Sequence, residues 1–138
     1  MSWLVDTNVL SELRKGDRAH AGIRTWFADA NEEELFTSVL VLGEIRRGIE
    51  SIRRRDVPSA LALEQWLGRL ASEFAERVLP VDARVVDLWG SLNVPDPIPT
   101  VDGLLAATAI VHDLVLVTRN VCAVERTGVR LWDPTASH

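Results

Sequence analysis

Two short runs of consecutive apolar residues constrain the fold of this chain, because each of them leads directly into polar residues. Trp3–Val5 is followed by Asp6, and Val115–Val117 is followed by Thr118-Arg119-Asn120. Continuous apolar runs of this length are typical of strands that are buried on both faces, as in parallel sheets. Polar residues just past such strands converge at one edge of an α/β sheet, where ligands bind. The pattern therefore predicts a parallel sheet with a polar site at one edge.

Helical patterns alternate with the short strands along the whole chain. Ser2–Val5 is predicted to be a buried strand, and Asp6-Thr7-Asn8 to cap a short helix over Val9–Arg14. The other predicted elements include a helix over Ala21–Ala30, a strand over Leu35–Thr37, a helix within Ser38–Arg55 capped by Ser38, a helix over Asp102–His112 and an edge strand over Arg130–Trp132. Strands that alternate with helices imply a parallel sheet covered by helices on both faces.

Three acids take positions that suit a shared site. Asp6 follows the first strand, Glu44 lies in the helical stretch Ser38–Arg55 beside its apolar stripe, and Asp102 opens an apolar helix. Three carboxylates held close together repel one another unless a divalent cation neutralises them. We therefore predict a Mg²⁺ or Mn²⁺ site, and phosphate chemistry is the usual use of such a site. Asn120 offers a neutral oxygen to this site or serves only as a turn residue.

Simpler roles are available to each acid. Asp6 and Asp102 would both serve well as helix N-caps without any further function. Glu44 could pair with Arg47 or face solvent, which is common for a Glu at the edge of a helix. Gly48, one turn further on, would leave room beside the Glu44 carboxylate for a metal ion or a phosphate. The site interpretation therefore depends on whether the acids converge in space.

The composition fits one domain over residues 1–138, with 47% hydrophobic and 25% charged residues. The formal net charge of −5 argues against a general basic coat for nucleic acid. It does not argue against a nuclease, because bound metal ions offset clustered carboxylates. Cys122 is the one cysteine, so we expect no internal disulfide and a reducing compartment. No signal-peptide pattern and no apolar run of the ~20 residues needed for a membrane span occur, so we expect a cytoplasmic protein.

Four motifs occur in order along the chain. They are Leu4–Glu12, Leu42–Gly48 following Ser38, Asp102–Ala109 and Val115–Asn120. In this order and spacing they resemble the PIN-domain ribonucleases, and more narrowly the VapC-type toxins of bacterial toxin–antitoxin modules, in their FitB-like branch. The resemblance spans nearly the whole chain and includes the C-terminal Leu131–Pro134.

The resemblance implies a PIN-like three-layer α/β/α sandwich around a short central parallel sheet. It also implies a divalent-metal endoribonuclease that acts on structured RNA, is inhibited by a cognate VapB-type antitoxin and forms a homodimer. Asp6, Glu44 and Asp102 match the three main acids of the family, and Asn120 matches a fourth position that is acidic in some relatives. Many relatives have another Asp where this chain has Ala123, which removes a ligand for a second metal ion.

These residues support a hypothesis for the chemistry. Asp6 and Asp102 hold Mg²⁺ or Mn²⁺ directly, and Glu44 holds it directly or through water. The metal lowers the pKa of a bound water, places it in line with a phosphodiester and offsets the charge of the transition state, leaving a 5′-phosphate and a 3′-hydroxyl. The residues expected to support the metal ligands are Thr7, Asn8 and Thr118.

Basic and apolar residues beside the motifs suggest two kinds of partner. The candidates for RNA contact are Arg46, Arg47 and Arg119. The run Arg53–Arg55 is either a solvated helix end or a clamp for phosphate. A surface made by Ile45, Ile49, Ile52, Trp66 and Leu70 is predicted to exceed what one core buries, and to accept an amphipathic antitoxin segment.

Two other function classes are less consistent with the sequence. A phosphotransfer enzyme of the receiver or haloacid-dehalogenase type needs a Lys after a late strand, whereas Thr118-Arg119 stands there. The phosphatase pattern also needs an Asp two places after Asp6, where this chain has Asn8. A catalytically weak PIN-like module that only binds RNA or protein would usually lack the three main acids, all of which are present.

Overall fold

A computed structural model describes residues 1–137 and contains a five-stranded parallel sheet. The strands are β1 (Trp3–Val5), β2 (Leu35–Ser38), β3 (Val78–Leu79), β4 (Val115–Val117) and β5 (Leu131–Trp132). Their order across the sheet is β3-β2-β1-β4-β5, and every neighbouring pair is parallel. The predicted α/β class with a short central parallel sheet is therefore confirmed.

The helices lie in two layers, one on each face of the sheet. They are α1 (Thr7–Leu13), α2 (Ala21–Asp29), α3 (Val39–Arg53), α4 (Val57–Phe74), α5 (Ala83–Leu92), α6 (Thr100–Val111) and α7 (Val121–Val124). Because parallel crossovers are right-handed, the connections running toward β3 place α1 to α4 on one face, and the return connection places α5 to α7 on the other. The helix contacts agree, since α3 packs against α1 and α4, while α6 packs against α5 and α7. The predicted three-layer sandwich is confirmed.

The core lies around the two central strands. Leu4 of β1 and Leu116 of β4 are 0% and 2% exposed, because helices cover both faces of these strands. The middle of α6 is also completely covered, with Ala106 and Ala109 at 0%. Small side chains allow this helix to approach the sheet closely, so its first turn has a well-defined position relative to the strand ends.

The chain reverses its direction across the sheet between β1 and β4. It leaves β1 toward β2 on one side, and it leaves β4 toward β5 on the other. A crevice forms beyond the carboxyl ends of the strands at such a reversal, and ligands of α/β proteins bind there. The N–H of Asp6 donates to the carbonyl of Val117 at 3.0 Å, so the two strand ends lie side by side. The residues that follow them share this crevice.

Two predicted helix starts were wrong by two residues. The first helix begins at Thr7 and not at Val9, because the Asp6 side chain already accepts a hydrogen bond from the N–H of Thr7. The helix predicted to begin at Asp102 begins at Thr100, because Pro99 takes the N-cap position and its carbonyl accepts the first helical hydrogen bond, from the Gly103 N–H at 2.9 Å. Asp102 therefore lies in the first turn of α6, near the positive end of the helix dipole.

The first turn of α6 packs closely against α5. A Cβ placed on Gly103 would lie 3.2 Å from two atoms of the Trp89 indole ring, whereas a Cβ placed on Gly68 of α4 would meet nothing within 4 Å. We expect Gly103→Ala to lower the free energy of unfolding by about 1 kcal/mol through overpacking. Gly68→Ala is the matched control and is expected to raise it by about the same amount through helix propensity. Urea unfolding of both variants measures the difference, and equal stabilisation would contradict this packing argument.

Candidate functional site

Asp6 lies at the centre of the crevice and is 5% exposed. Its Oδ1 accepts a hydrogen bond from the Thr7 N–H at 2.6 Å, and its Oδ2 accepts one from the Thr118 hydroxyl at 2.7 Å. The Asn8 side-chain amide lies 3.4 Å from the same Oδ2. Asp6 is therefore a helix N-cap, which was the simpler role predicted for it. Its carboxylate is also held in place between the ends of two strands.

Glu44 reaches this cluster from α3. Ser38 ends β2 and caps α3 by accepting a hydrogen bond from the Leu40 N–H at 3.0 Å, which fixes the start of the helix beside the crevice. Oε1 of the half-buried Glu44 accepts a hydrogen bond from the Thr7 hydroxyl at 2.6 Å. Glu44 forms no ion pair with Arg47 within residues 1–137, so that alternative was wrong. Thr7 thus connects the Glu44 carboxylate to the cap of Asp6.

Asp102 completes the group from the first turn of α6. It is half-buried, and within residues 1–137 its carboxylate has no hydrogen bond or ion pair. Burial raises its pKa above the ordinary value, and the nearby charge of Glu44 raises it further. Burial also raises the pKa of Asp6, to which the charges of Glu44 and Asp102 add. The three acids therefore lie in one electrostatic neighbourhood, as predicted, where no basic side chain of the described chain offsets them.

The chemistry of these donors fits a hard divalent cation, which prefers carboxylate oxygens. Repulsion among the three acids is what such an ion would remove. Within the described residues, however, no three His, Cys, Asp or Glu side chains are already arranged to hold one metal ion. Glu44 and Asp102 would have to rotate toward Asp6 for one ion to contact all three. Thr7 and Thr118 restrain Glu44 and Asp6, so Asp102 is the acid most free to move.

Thr118 and Asn120 follow β4 and have different environments. Thr118 is 1% exposed, and its hydroxyl donates to Asp6 while accepting the Asn120 N–H at 3.0 Å. Asn120 precedes α7 and is exposed, and its side-chain amide makes no hydrogen bond within residues 1–137. The structure therefore brings the backbone of Asn120 to the cluster, whereas the predicted role of its side-chain oxygen stays a prediction.

The Thr118 hydroxyl can be tested separately from the acids. Thr118→Val keeps the shape of the side chain but leaves the buried Asp6 Oδ2 with only the longer contact to the Asn8 amide, so we expect a loss of about 1–3 kcal/mol in the free energy of unfolding. Thr108→Val is the matched control, because Thr108 is also fully buried but its hydroxyl donates only to the Leu104 carbonyl in its own helix. Chemical denaturation compares the two, and equal losses would show that Thr118 has no special role.

The predicted RNA-contact arginines are not equivalent. The guanidinium of Arg46 bonds to Glu50 at 3.1 Å and to Glu64 of α4 at 2.5 Å, so its charge is already offset. Arg47 lines a cavity of about 290 Å³ together with Glu44. Arg119 lies 4.0 Å from the carboxylate of Glu12 and is half-exposed. Arg47 and Arg119 therefore remain the better candidates.

Sequence reasoning assigned the wrong glycine to the space beside Glu44. Gly43 lines the cavity with Glu44 and Arg47, whereas Gly48 lies elsewhere, in a groove between α1, α3 and α4. The signal was present in the sequence, because Val39, Gly43 and Arg47 are spaced four residues apart and share one face of α3. Val39 is 44% exposed on this face, so the cavity has an apolar rim beside the acids.

The groove beside Gly48 corrects the predicted apolar surface. Ile45, Ile49 and Leu70 are at most 7% exposed, so all three belong to the core, but Ile45 and Ile49 also line the floor of the groove. Leu70 does not line it, so its assignment to this surface was wrong. The half-buried residues Ile52, Leu63 and Trp66 do line the groove, together with Arg14 of α1. An adjoining cavity of about 450 Å³ shares Arg14, Leu63 and Trp66 and adds Arg69. We call these connected cavities the α1–α4 groove.

Comparison with known proteins places this architecture in a family. The PIN domain family matches residues 3–121. The chain belongs to the PIN domain family. This confirms the resemblance inferred from the four motifs, and the matched region of the PIN domain includes all four candidate positions from Asp6 to Asn120. None of the helices in residues 1–137 combines the length and apolar character that a membrane span requires.

Individual relatives are similar over nearly the full length of this PIN domain. The VapC ribonuclease Y4jK of Sinorhizobium fredii is 29% identical over 95% of this chain and 98% of its own. The toxin FitB of Neisseria gonorrhoeae is 28% identical over 95% of this chain and 96% of its own. The crystal structure of FitAcB from Neisseria gonorrhoeae superposes with a TM-score of 0.87 at 25% identity, covering 96% of this chain and 97% of that chain.

Proposed function

We propose that this PIN domain is the toxin of a toxin–antitoxin pair and is an endoribonuclease that depends on Mg²⁺ or Mn²⁺. The observation that supports it most directly is the group of three acids without basic partners at the reversal point of the sheet. The full-length similarity to proteins named VapC ribonuclease and toxin FitB supports the choice of RNA as substrate and of an antitoxin as inhibitor. We also propose a cytoplasmic location and a homodimer, by analogy with the family.

In the proposed reaction the three acids bind the metal ion and two threonines orient the acids. Asp6 and Asp102 would hold the ion directly, and Glu44 would hold it directly or through water. When bound, a divalent ion lowers the pKa of a nearby water and offsets the charge that develops on the phosphate. The hydroxyls of Thr118 and Thr7 hold Asp6 and Glu44 at 2.7 and 2.6 Å. The Asp6 carboxylate is therefore oriented before the ion binds, whereas Glu44 and Asp102 would turn toward it on binding.

The arginines beside the acids would bind the RNA. Arg47 lines a cavity with Glu44, and Arg119 directly follows Thr118, whose hydroxyl binds Asp6. Each arginine can neutralise a phosphate of the RNA backbone. The acids repel RNA in the absence of metal, so metal and substrate binding are expected to support each other. Attack by water in line with the leaving 3′-oxygen would produce a 5′-phosphate and a 3′-hydroxyl.

Cleavage of total cellular RNA by the purified protein tests this proposal. We expect discrete products with Mg²⁺ or Mn²⁺, none with EDTA and none from the Asp6→Asn variant. Asp82→Asn is the matched control, because Asp82 is also an N-cap, accepting the Val85 N–H at 3.1 Å at the start of α5. Absence of cleavage by folded, antitoxin-free protein with either metal would favour the alternative, a catalytically weak module that binds RNA or protein.

The α1–α4 groove supports a docking site for the antitoxin. Its floor is apolar, and within residues 1–137 Arg14 and Arg69 on its rim have no acidic partner. An amphipathic segment with apolar residues on one face and acidic residues beside them would be complementary. Because the groove lies between α1 and α3, which also carry Thr7 and Glu44, a bound segment could continue into the acidic cluster.

Trp66 is expected to be the main anchor of this complex. Trp66→Ala should weaken antitoxin binding by about 30-fold, since indole rings buried at the centre of an interface often contribute 2 kcal/mol or more. Leu61→Ala is the matched control, because Leu61 is on the same helix and 49% exposed but does not line the groove. Titration of each variant with the cognate antitoxin measures both affinities, and an unchanged affinity for Trp66→Ala would exclude this groove.

A further inference from the structure

The loop over residues 93–99, which joins α5 to α6, is closed by a single asparagine. The side-chain amide of Asn93 donates to the Trp89 carbonyl at 2.7 Å, and its Oδ1 accepts the Ile98 N–H at 2.9 Å. Asn93 thus ties the last turn of α5 to the residue just before α6. This small network fixes the width of the loop.

Arg126, which is outside the loop, also forms hydrogen bonds that hold the loop in place. It lies in the 3₁₀ turn Glu125–Thr127 that follows α7, and its guanidinium donates to the carbonyls of Leu92, at 3.3 Å, and Asp96. Within residues 1–137 Arg126 has no carboxylate partner, so its hydrogen bonds go to main-chain oxygens. A guanidinium with several donors in a fixed plane is suited to holding two carbonyls at once.

The loop is in direct contact with the turn of α6 that contains Asp102. Ile98 is 6% exposed, and its Cβ lies 3.4 Å from the position that a Cβ on Gly103 would occupy. The N–H of Gly103 donates to the Pro99 carbonyl at 2.9 Å. A displacement of the loop would therefore move the backbone on which Asp102 stands.

We propose that Arg126 is a positioning residue of the acidic cluster, which sets the place of Asp102 relative to α7 and Asn120 by holding the 93–99 loop. Arg126 follows α7, and α7 begins directly after Asn120, so one guanidinium links the segments that contain these two candidate ligands. The effect on metal binding rests on the proposed function, whereas the effect on the loop does not.

The experiment compares Arg126→Met, Arg126→Lys and Arg130→Met. Methionine keeps an apolar stem without donors, and lysine keeps the charge but cannot hold two carbonyls in one plane. Arg130→Met is the matched control, because Arg130 also donates to a main-chain carbonyl and is tied to Asp113, far from the 93–99 loop. The readouts are the dissociation constant for Mn²⁺, measured by electron paramagnetic resonance, and the hydrogen exchange of the Ile98 and Gly103 amides.

We expect Arg126→Met to weaken Mn²⁺ binding by about 10-fold, the size of effect typical of residues that support metal ligands. Exchange at Ile98 and Gly103 should be faster, Arg126→Lys should be intermediate, and Arg130→Met should match the wild type. Mn²⁺ affinity within twofold of the wild type in Arg126→Met overturns the proposal. If the wild type itself binds no Mn²⁺, the proposed function fails, and exchange alone then decides: unchanged exchange in Arg126→Met overturns the loop-holding role as well.

Discussion

Replacing Asp102 with asparagine is expected to reduce RNA cleavage by at least about 1,000-fold, which corresponds to roughly 4 kcal/mol of lost transition-state stabilisation. The same change should leave the thermal unfolding midpoint unchanged or slightly raised. Asp102 has no hydrogen bond within residues 1–137, and its raised pKa shows that its charge is unfavourable in the folded chain. Loss of activity with retained stability is the combination that separates a ligand from a structural residue.

Asp87→Asn provides the matched control for this prediction, because Asp87 is an exposed aspartate on the neighbouring helix α5. Initial rates on one RNA substrate and thermal unfolding should be measured for both variants in the same buffer. Full activity of Asp102→Asn would remove Asp102 from the proposed metal site. A fall in stability as large as the fall in activity would instead assign it a role in folding.

Removing the divalent metal is expected to abolish cleavage and to lower the stability of the wild type. A ligand present at 100 times its dissociation constant stabilises the folded state by about 2.7 kcal/mol, which for a chain of this size is a shift of about 10 °C in unfolding midpoint. Thermal unfolding in EDTA and in excess Mg²⁺ or Mn²⁺ measures this shift. The double variant Asp6→Asn with Asp102→Asn should show almost none of it.

The rise in unfolding midpoint caused by the metal should also become larger as the pH rises. Asp6 and Asp102 both have raised pKa values in the folded chain, so the folded state binds their protons more tightly than the unfolded state. Their contribution to stability is present at a pH below the ordinary carboxyl pKa of about 4 and is lost as the pH rises through the folded-state values. Metal replaces those protons, so its stabilising effect should increase from about pH 4 toward neutrality. A shift that is constant with pH would contradict the link between these acids and the metal.

Local sequence patterns predicted the parts of the site that depend on neighbouring residues. Asp6 follows a strand and caps a helix, and Ser38 ends a strand and caps the next one, and both features are recognisable within a few residues. The approach of Asp6, Glu44 and Asp102 could be predicted as well, because parallel strands place their carboxyl ends at one edge. The distances between the three carboxylates at that edge could not be predicted, because they depend on how the helices pack.

The errors concern contacts between residues that are distant in the chain. The ion pairs of Arg46 with Glu50 and Glu64 were not foreseen, because the turn between α3 and α4 decides the pairing with Glu64, and RNA contact by Arg46 stays a prediction. Leu70 was wrongly assigned to the groove surface, because periodicity shows which face of a helix is apolar and not what covers it. The roles of Asn93 and Arg126 were also not predicted. Both side chains donate to main-chain carbonyls, which every residue has, so the sequence does not indicate such partners.

The position of Trp66 gives this chain a built-in optical probe. Five tryptophans are present, and Trp66 is the one that lines the α1–α4 groove. Trp3 and Trp26 instead lie edge to face, with ring centroids 5.6 Å apart, and Trp89 is packed against Gly103. A segment that covers the groove removes water from one indole and leaves the other environments unchanged. Intrinsic fluorescence can therefore report occupancy of the groove in unlabelled protein, independently of any RNA.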